Sequence, residues 1–163
     1  MEHILNVAEY IFSEYEKISG EKIDEMKLHK LLYFAQRECI AITGEPLFEE
    51  EFQGWKFGPV STDVRFAFAP DGIIIPDCLK KTIDENAKYI VNNVILEYGV
   101  YSSWKLSEIS HKESSWINSR KGLAKEENGC SVLALSDIMS DASKIRPYDH
   151  VWDMYYDEFD DLN

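Results

Sequence analysis

Basic residues are scarce. Seventeen Lys and Arg stand against 30 Asp and Glu, a formal net charge of −13. Phosphate affinity comes from Lys and Arg displacing counterions, so nonspecific nucleic-acid binding is not expected. The basic residues present are scattered. Lys27 and Lys30 lie in one place and Lys80, Lys81, Lys144 and Arg146 elsewhere, with no basic stripe interleaved with aromatics. No direct nucleic-acid partner is expected. Cysteine is also sparse. Cys39, Cys78 and Cys130 are far apart with no CxxC, which argues against a disulfide framework and a structural zinc site. They read as small apolar residues of a reducing compartment. Long apolar runs are absent. The longest resemble Ile73-Ile74-Ile75, while a membrane span needs about 20 residues. The start, MEHILNVAEYIF, lacks a basic region and is broken by Glu2, Asn6 and Glu9, so a signal peptide is not expected. A cytoplasmic protein with no membrane partner is the expectation.

Chemical motifs are missing too. There is no GxGxxG and no phosphate loop of the GxxxxGK[ST] type. His3, His29, His111 and His150 show no HxxxH or HExxH spacing, so no metal and no cofactor is expected. Glu49, Glu50 and Glu51 are consecutive, and such a run reads as a solvated face rather than an acid/base pair.

What is there is helical patterning. Ile4, Leu5, Ala8, Ile11, Phe12 and Tyr15 make one apolar face, with Gly20 as the stop. Asp24 can cap a second helix with Leu28, Leu31, Leu32, Ala35, Cys39 and Ile42 as its stripe. Tyr33, Phe34 and Ile40 widen that stripe, so this helix is predicted to be buried on more than one side. Gly44 and Pro46 end it. In LFEEEFQGWKFGPV, the alternation of Phe52, Trp55 and Phe57 with Gly54 and Gly58 between predicts two short strands or an ordered loop. Pro59 suits the first turn of a third helix, running to about Ala69 before Pro70. Pro70, Gly72 and Pro76 predict an irregular connection. Ile83 to Tyr98 repeats as a fourth helix stopped by Gly99. Ser102 or Ser103 caps a fifth, through Trp104, Leu106, Ile109 and Ser110. Residues 112–130 read as a polar loop, and Ser136 starts a last helix through Ile138, Met139 and Ala142. The tail from Asp149 to Asn163 holds six acidic residues and no Lys or Arg, together with Val151, Trp152, Met154, Tyr155, Tyr156 and Phe159. The expected fold is mainly α: a single compact helical domain over 1–148, about five to seven helices, a small β-hairpin-like element near 52–58, and an acidic aromatic tail over 149–163.

Catalysis has one candidate. Ser107, Ser110 and His111 sit together in LSEISHKESSW. A nucleophilic serine needs a strained elbow and an orienting acid, and no GxSxG is present. His111 reads better as a helix-end residue or a partner of nearby backbone. Protein binding fits the composition better. Four Trp and nine Tyr in a small acidic domain supply the ring types that anchor interfaces. The GWKFGP rings either pack into the core or line a groove.

The stretch MKLHKLLYFAQRECIAITGEPLFEEEFQGWKFGPVSTDV resembles the opening of the Panacea domain, the SocA-like antitoxin family that includes phage-associated GepA-like proteins. The matching residues are Lys27, Leu28, Lys30, Leu31, Leu32, Tyr33, Phe34, Ala35 and Gln36, then Gly44, Pro46, Leu47 and Phe48, then Trp55, Phe57, Gly58, Pro59 and Val60. A second signature matches Leu106, Ser107, Ile109, Ser110, His111, Glu113 and Trp116. The chain departs at His29, where the family often has Gln, and at Ser115, where it often has Pro. The resemblance implies a mainly helical, non-enzymatic antitoxin that neutralises a toxin from an adjacent gene by direct contact. It leaves the toxin unnamed and homo-oligomerisation open. Two surfaces are expected to meet the partner. One is the Phe52–Pro59 segment, with Phe52, Trp55, Phe57, Gly58 and Pro59, and with His111 and Trp116 of the second signature. The other is the tail, with Trp152, Tyr155 and Tyr156, which could fold on contact with a basic toxin. Two alternatives are an acidic DNA mimic, resting on the −13 charge, and a small hydrolase using His111.

Overall fold

Helix α1 (Ile4–Ser19) and helix α2 (Glu25–Thr43) form as their apolar spacing predicts, and both end on a left-handed glycine, Gly20 and Gly44. The computed structural model describes residues 1–145. The tail, with Trp152, Tyr155 and Tyr156, and the boundary at residue 148 lie outside the described residues. Asp24 caps α2 by accepting from the Lys27 amide at 2.8 Å. A hairpin follows: β1 (Gln53–Trp55) pairs antiparallel with β2 (Gly58–Val60), joined through Lys56 and Phe57. Helix α3 (Thr62–Ala67) then leads into a second, shorter antiparallel pair, β3 (Phe68–Ala69) with β4 (Gly72–Ile73). Helices α4 (Glu85–Tyr98), α5 (Ser103–Ser110), α6 (Ser114–Ser119) and α7 (Leu135–Ser143) complete the described chain.

Helix α2 is the centre. Helices α1, α4, α5 and α7 and strand β2 all pack on it. Leu28, Leu31, Leu32, Tyr33, Phe34 and Ala35 are fully buried, so consecutive residues face the interior on every side. Several of its polar residues are buried as well, and Lys27 and Gln36 each tie down another element. Lys27 Nζ donates to Tyr15 Oη at 3.0 Å and to the Gly99 carbonyl at 3.1 Å, placing a cation at the negative end of α4. Gln36 uses both ends of its amide. Nε2 donates to the Phe48 carbonyl at 3.0 Å, and Oε1 accepts from the Leu47 amide at 2.7 Å. The turn after α2 is thereby fixed.

Three expectations are corrected. Pro59 does not open a helix. It lies in β2, and Ser61 caps α3 by accepting from the Val64 amide at 3.3 Å. Strand β1 bridges to Val132 on its far side, so β2 is the outer strand, where a missing N–H is tolerated. Helix α3 stops at Ala67, and the segment read as an irregular connection begins as the β3–β4 pair. The Ile73 amide donates to Glu9 on α1 at 2.9 Å and draws that pair onto the core. Finally, residues 112–130 contain α6, whose first amides are held by Asp141 of α7, 26 and 27 residues away. Among the described residues no helix is long and apolar enough to cross a membrane. Cys39 is buried, and Cys78 and Cys130 are free and exposed.

Candidate functional site

The β1–β2 hairpin is held by its main chain. Arg120 Nη1 donates to the Gly54 carbonyl at 3.0 Å, and Trp116 Nε1 to the Trp55 carbonyl at 2.8 Å. Ser107 Oγ donates to the Phe57 carbonyl at 2.7 Å, and Lys30 Nζ to the Pro59 carbonyl at 3.1 Å. His111 hydrogen-bonds the Lys56 backbone. The Gly54 amide donates to the Ser131 carbonyl at 2.8 Å, and the Leu133 amide to the Phe52 carbonyl at 2.9 Å. Helices α2, α5 and α6 and the strand-like segment at 131–133 thus grip one short ribbon. Gly58 allows the close fit. Its φ is +121°, and a Cβ there would stand 2.5 Å from Lys30 Cε and 2.6 Å from Ser110 Oγ. Gly58→Ala should therefore cost about 2–4 kcal/mol, from backbone strain plus overpacking. Chemical denaturation checks this, and a loss well below 1 kcal/mol would mean the hairpin shifts freely.

The side chains of the hairpin tip face outward. Phe57 is 41% exposed and stands edge-on to Trp104, itself 61% exposed, with ring centroids 5.2 Å apart. Lys56 lies over the Phe57 ring at 5.1 Å, and Arg65 over Trp55 at 5.2 Å. Beside this tip opens a cleft of about 640 Å³ between the start of α2, the hairpin, α3 and the loop at 128–130. Trp55, Phe57, Met26 and Val60 supply its apolar walls. Lys30, Lys56, Arg65, His29 and Glu25 supply its charges.

Lys30 is 1% exposed, and burial pushes its ammonium down to about 7. The charges of Asp24 and Glu25 oppose that shift. His29 is buried beside it. Its Nδ1 accepts from the Ser61 amide at 3.2 Å, so Nε2 carries the proton toward Glu25 Oε2 at 3.2 Å. Burial lowers the His29 pKa, and the bond from His29 lowers that of Glu25. Arg65 Nη1 closes on the same Glu25 oxygen at 2.7 Å.

A second polar cluster lies further along the same side of α2, where Tyr33 and Arg37 follow Lys30 at helical spacing. Tyr33 Oη meets Ser115 Oγ at 2.8 Å and donates to Asp141 Oδ2 at 3.1 Å. Asp141 also accepts from the Ser114 and Ser115 amides at 2.8 and 2.9 Å, which caps α6. Burial alone would raise the Asp141 pKa, but the bonds from Ser115, Ser114 and Tyr33 outweigh it and lower it. Arg37 pairs with Glu113, donates to Tyr98 Oη at 2.7 Å and lies over the Phe34 ring at 4.8 Å. Burial raises the Glu113 pKa, and Arg37 pulls against it.

The expected site residues divide. Phe52, Gly58, Pro59 and Trp116 are buried: Phe52 packs edge-on to Tyr33, and Trp116 lies beneath His111. His111 stacks on Trp116 at 4.0 Å with planes 9° apart, and burial, with Lys30 nearby, lowers its pKa. Ser107 Oγ is 3.4 Å from His111 Nε2, but its proton goes to the Phe57 carbonyl. Trp55 and Phe57 remain as accessible rings. Among the described residues no group of three His, Cys, Asp or Glu is placed to hold a metal ion. The sequence reading ran α5 through Trp104 without assigning it a face, and the structure turns it outward. Leu106 and Ser110, four apart, define the buried face, and Trp104 falls off that spacing. Lys30 and Arg65 were missed as cleft charges, and Arg120 as a hairpin clamp.

Comparison with known proteins bears on the same segments. The family model described as antitoxin SocA-like, Panacea domain, matches residues 28–117. Antitoxin SocA of Caulobacter vibrioides strain NA1000 / CB15N is 33% identical over 103 residues, covering 55% of this chain and 55% of that relative. The chain thus spans about half the length of the curated relative it matches. No solved structure matches the chain.

Proposed function

The chain belongs to the SocA-like, Panacea-domain family, and from that premise we propose that it is an antitoxin that neutralises a toxin encoded by a neighbouring gene through direct protein contact. The observation that carries the choice of surface is the exposed ring pair of Trp104 on α5 and Phe57 at the tip of a hairpin whose backbone is clamped. A rigid pair of rings loses little freedom on docking, which favours it as an interface anchor. The acidic tail from Asp149 is a second contact in this reading, one that adds attraction to a basic partner.

The test is growth rescue. Each neighbouring gene is induced alone and then with this protein. One neighbour should be toxic alone, harmless with this protein, and co-purify with it. Phe57→Ala combined with Trp104→Ala should weaken that complex by about 2–4 kcal/mol, a loss typical of interface hot spots, with the melting temperature nearly unchanged. Binding kinetics of the variants and of a chain ending at Tyr148 separate the two surfaces. A toxic neighbour that the double variant still neutralises and binds normally would overturn the hairpin surface. The absence of any toxic neighbour would overturn the antitoxin reading.

A further inference from the structure

We propose that the cleft beside the hairpin is a binding site for a small monoanion with a flat apolar body, an aromatic carboxylate, whose charge is met by Lys30. An ammonium has three donors. Lys30 Nζ has one acceptor among the described residues, the Pro59 carbonyl, although the side chain is 1% exposed. A buried cation with unmet donors, lining an open cleft, is an incomplete hydrogen-bond shell that an incoming oxyanion completes.

The surroundings narrow the class. At about 640 Å³ the cleft falls in the range of small-molecule sites. Trp55, Phe57 and Met26 offer it flat and polarisable walls against which a planar ring can stack. Charge sets the valence. In a chain of net charge −13, this cleft is lined by three cations, Lys30, Lys56 and Arg65, against one carboxylate, Glu25. Glu25 is bound to Arg65 and to His29, so it neutralises one cation and repels a second negative charge. With Arg65 paired to Glu25 and Lys56 held over the exposed Phe57 ring, Lys30 is the cleft's one buried cation, without a carboxylate partner among the described residues, and a single carboxylate matches it. The proposal is independent of the antitoxin reading, since it needs no protein partner.

The experiment is calorimetric titration of the full chain with 2-naphthoate, 2-naphthamide and 2-naphthyl phosphate. The acid should bind about tenfold tighter than the amide, the margin of one charge-assisted bond, and tighter than the phosphate. Lys30→Met should bring the acid to the level of the amide. Cys130→Trp, at an exposed lining position, should weaken both by filling the cleft. Equal binding of acid and amide by the native chain, binding of neither, or tightest binding of the phosphate would each overturn the proposal. The native-chain comparison decides even if Lys30→Met fails to fold. No toxin enters the assay, so its failure leaves the growth-rescue result untouched.

Discussion

Arg37→Met is expected to destabilise the protein by about 3–5 kcal/mol, the cost of stripping one partner from a buried ion pair. At this chain length that is a fall in melting temperature on the order of 10 °C. Arg37 is 3% exposed, and its guanidinium sits between Glu113, Tyr98 and the Phe34 ring. Methionine keeps most of the volume and none of the donors. Glu113 is then left half-buried with Tyr33 Oη at 3.4 Å and Asp141 nearby. The signature of this cause is its pH dependence. Burial already raises the Glu113 pKa, and losing Arg37 removes the charge that held it back. A carboxyl whose folded pKa exceeds its unfolded value binds more protons when folded, so stability falls as pH rises through that interval. The variant should therefore lose less at pH 5 than at pH 8. Combining it with Glu113→Gln should recover part of the loss and flatten the profile, as double-mutant coupling requires. Denaturant titrations at the two pH values check this. A loss independent of pH would assign the damage to packing instead.

Lys30 gives the second large effect, with the opposite sign. Its ammonium is pushed down to about 7 by burial, far below its value in the unfolded chain. Between pH 7 and that ordinary value the unfolded chain binds the extra proton, so stability rises with pH. Stability should increase by about 2 kcal/mol from pH 7 to pH 9, and Lys30→Met should abolish that increase. His29 and His111, both lowered by burial, act in the same direction below pH 7, and both proteins share them. Cys39, whose thiol burial pushes up, begins to oppose the trend toward its own ordinary value, which is why the window closes at pH 9. Equal slopes for the two proteins over this window would show that the amine keeps its charge in the fold.

These two residues also mark how far the sequence could be read. Helices α1, α2, α4, α5 and α7 were visible because their signals are local: apolar spacing, Asp24 and Ser102 as caps, Gly20 and Gly44 as stops. The hairpin was visible through the alternation at Phe52, Trp55 and Phe57. Helix α6 was not, because six residues carry little periodicity and its cap is Asp141, distant in the chain. The β3–β4 pair depends on Glu9 in the same way. The candidate site shows the same limit. Both signature segments were found, but spacing does not say which way a ring points. Trp116 and Phe52 turned inward, Trp104 outward, and Lys30, one polar position on an apolar helix, became a buried charge. The two signatures meet in space. Lys30 from the first and Ser107, His111 and Trp116 from the second all reach the hairpin backbone, and Tyr33 meets Ser115.

Because the helices hold carbonyl oxygens rather than side chains, the ribbon's position does not depend on which residues sit at its tip. Lys56 and Phe57 contribute little to their own placement beyond the main chain that every residue has. The fold therefore separates support from display. Exchanging the tip residues changes what surface is shown while leaving its address in space alone, whereas exchanging Ser107, Trp116 or Arg120 moves the address and leaves the lettering intact. A substitution library over 55–57 should accordingly keep its folded fraction while its binding preferences diverge, which makes this hairpin a natural graft point for retargeting the domain.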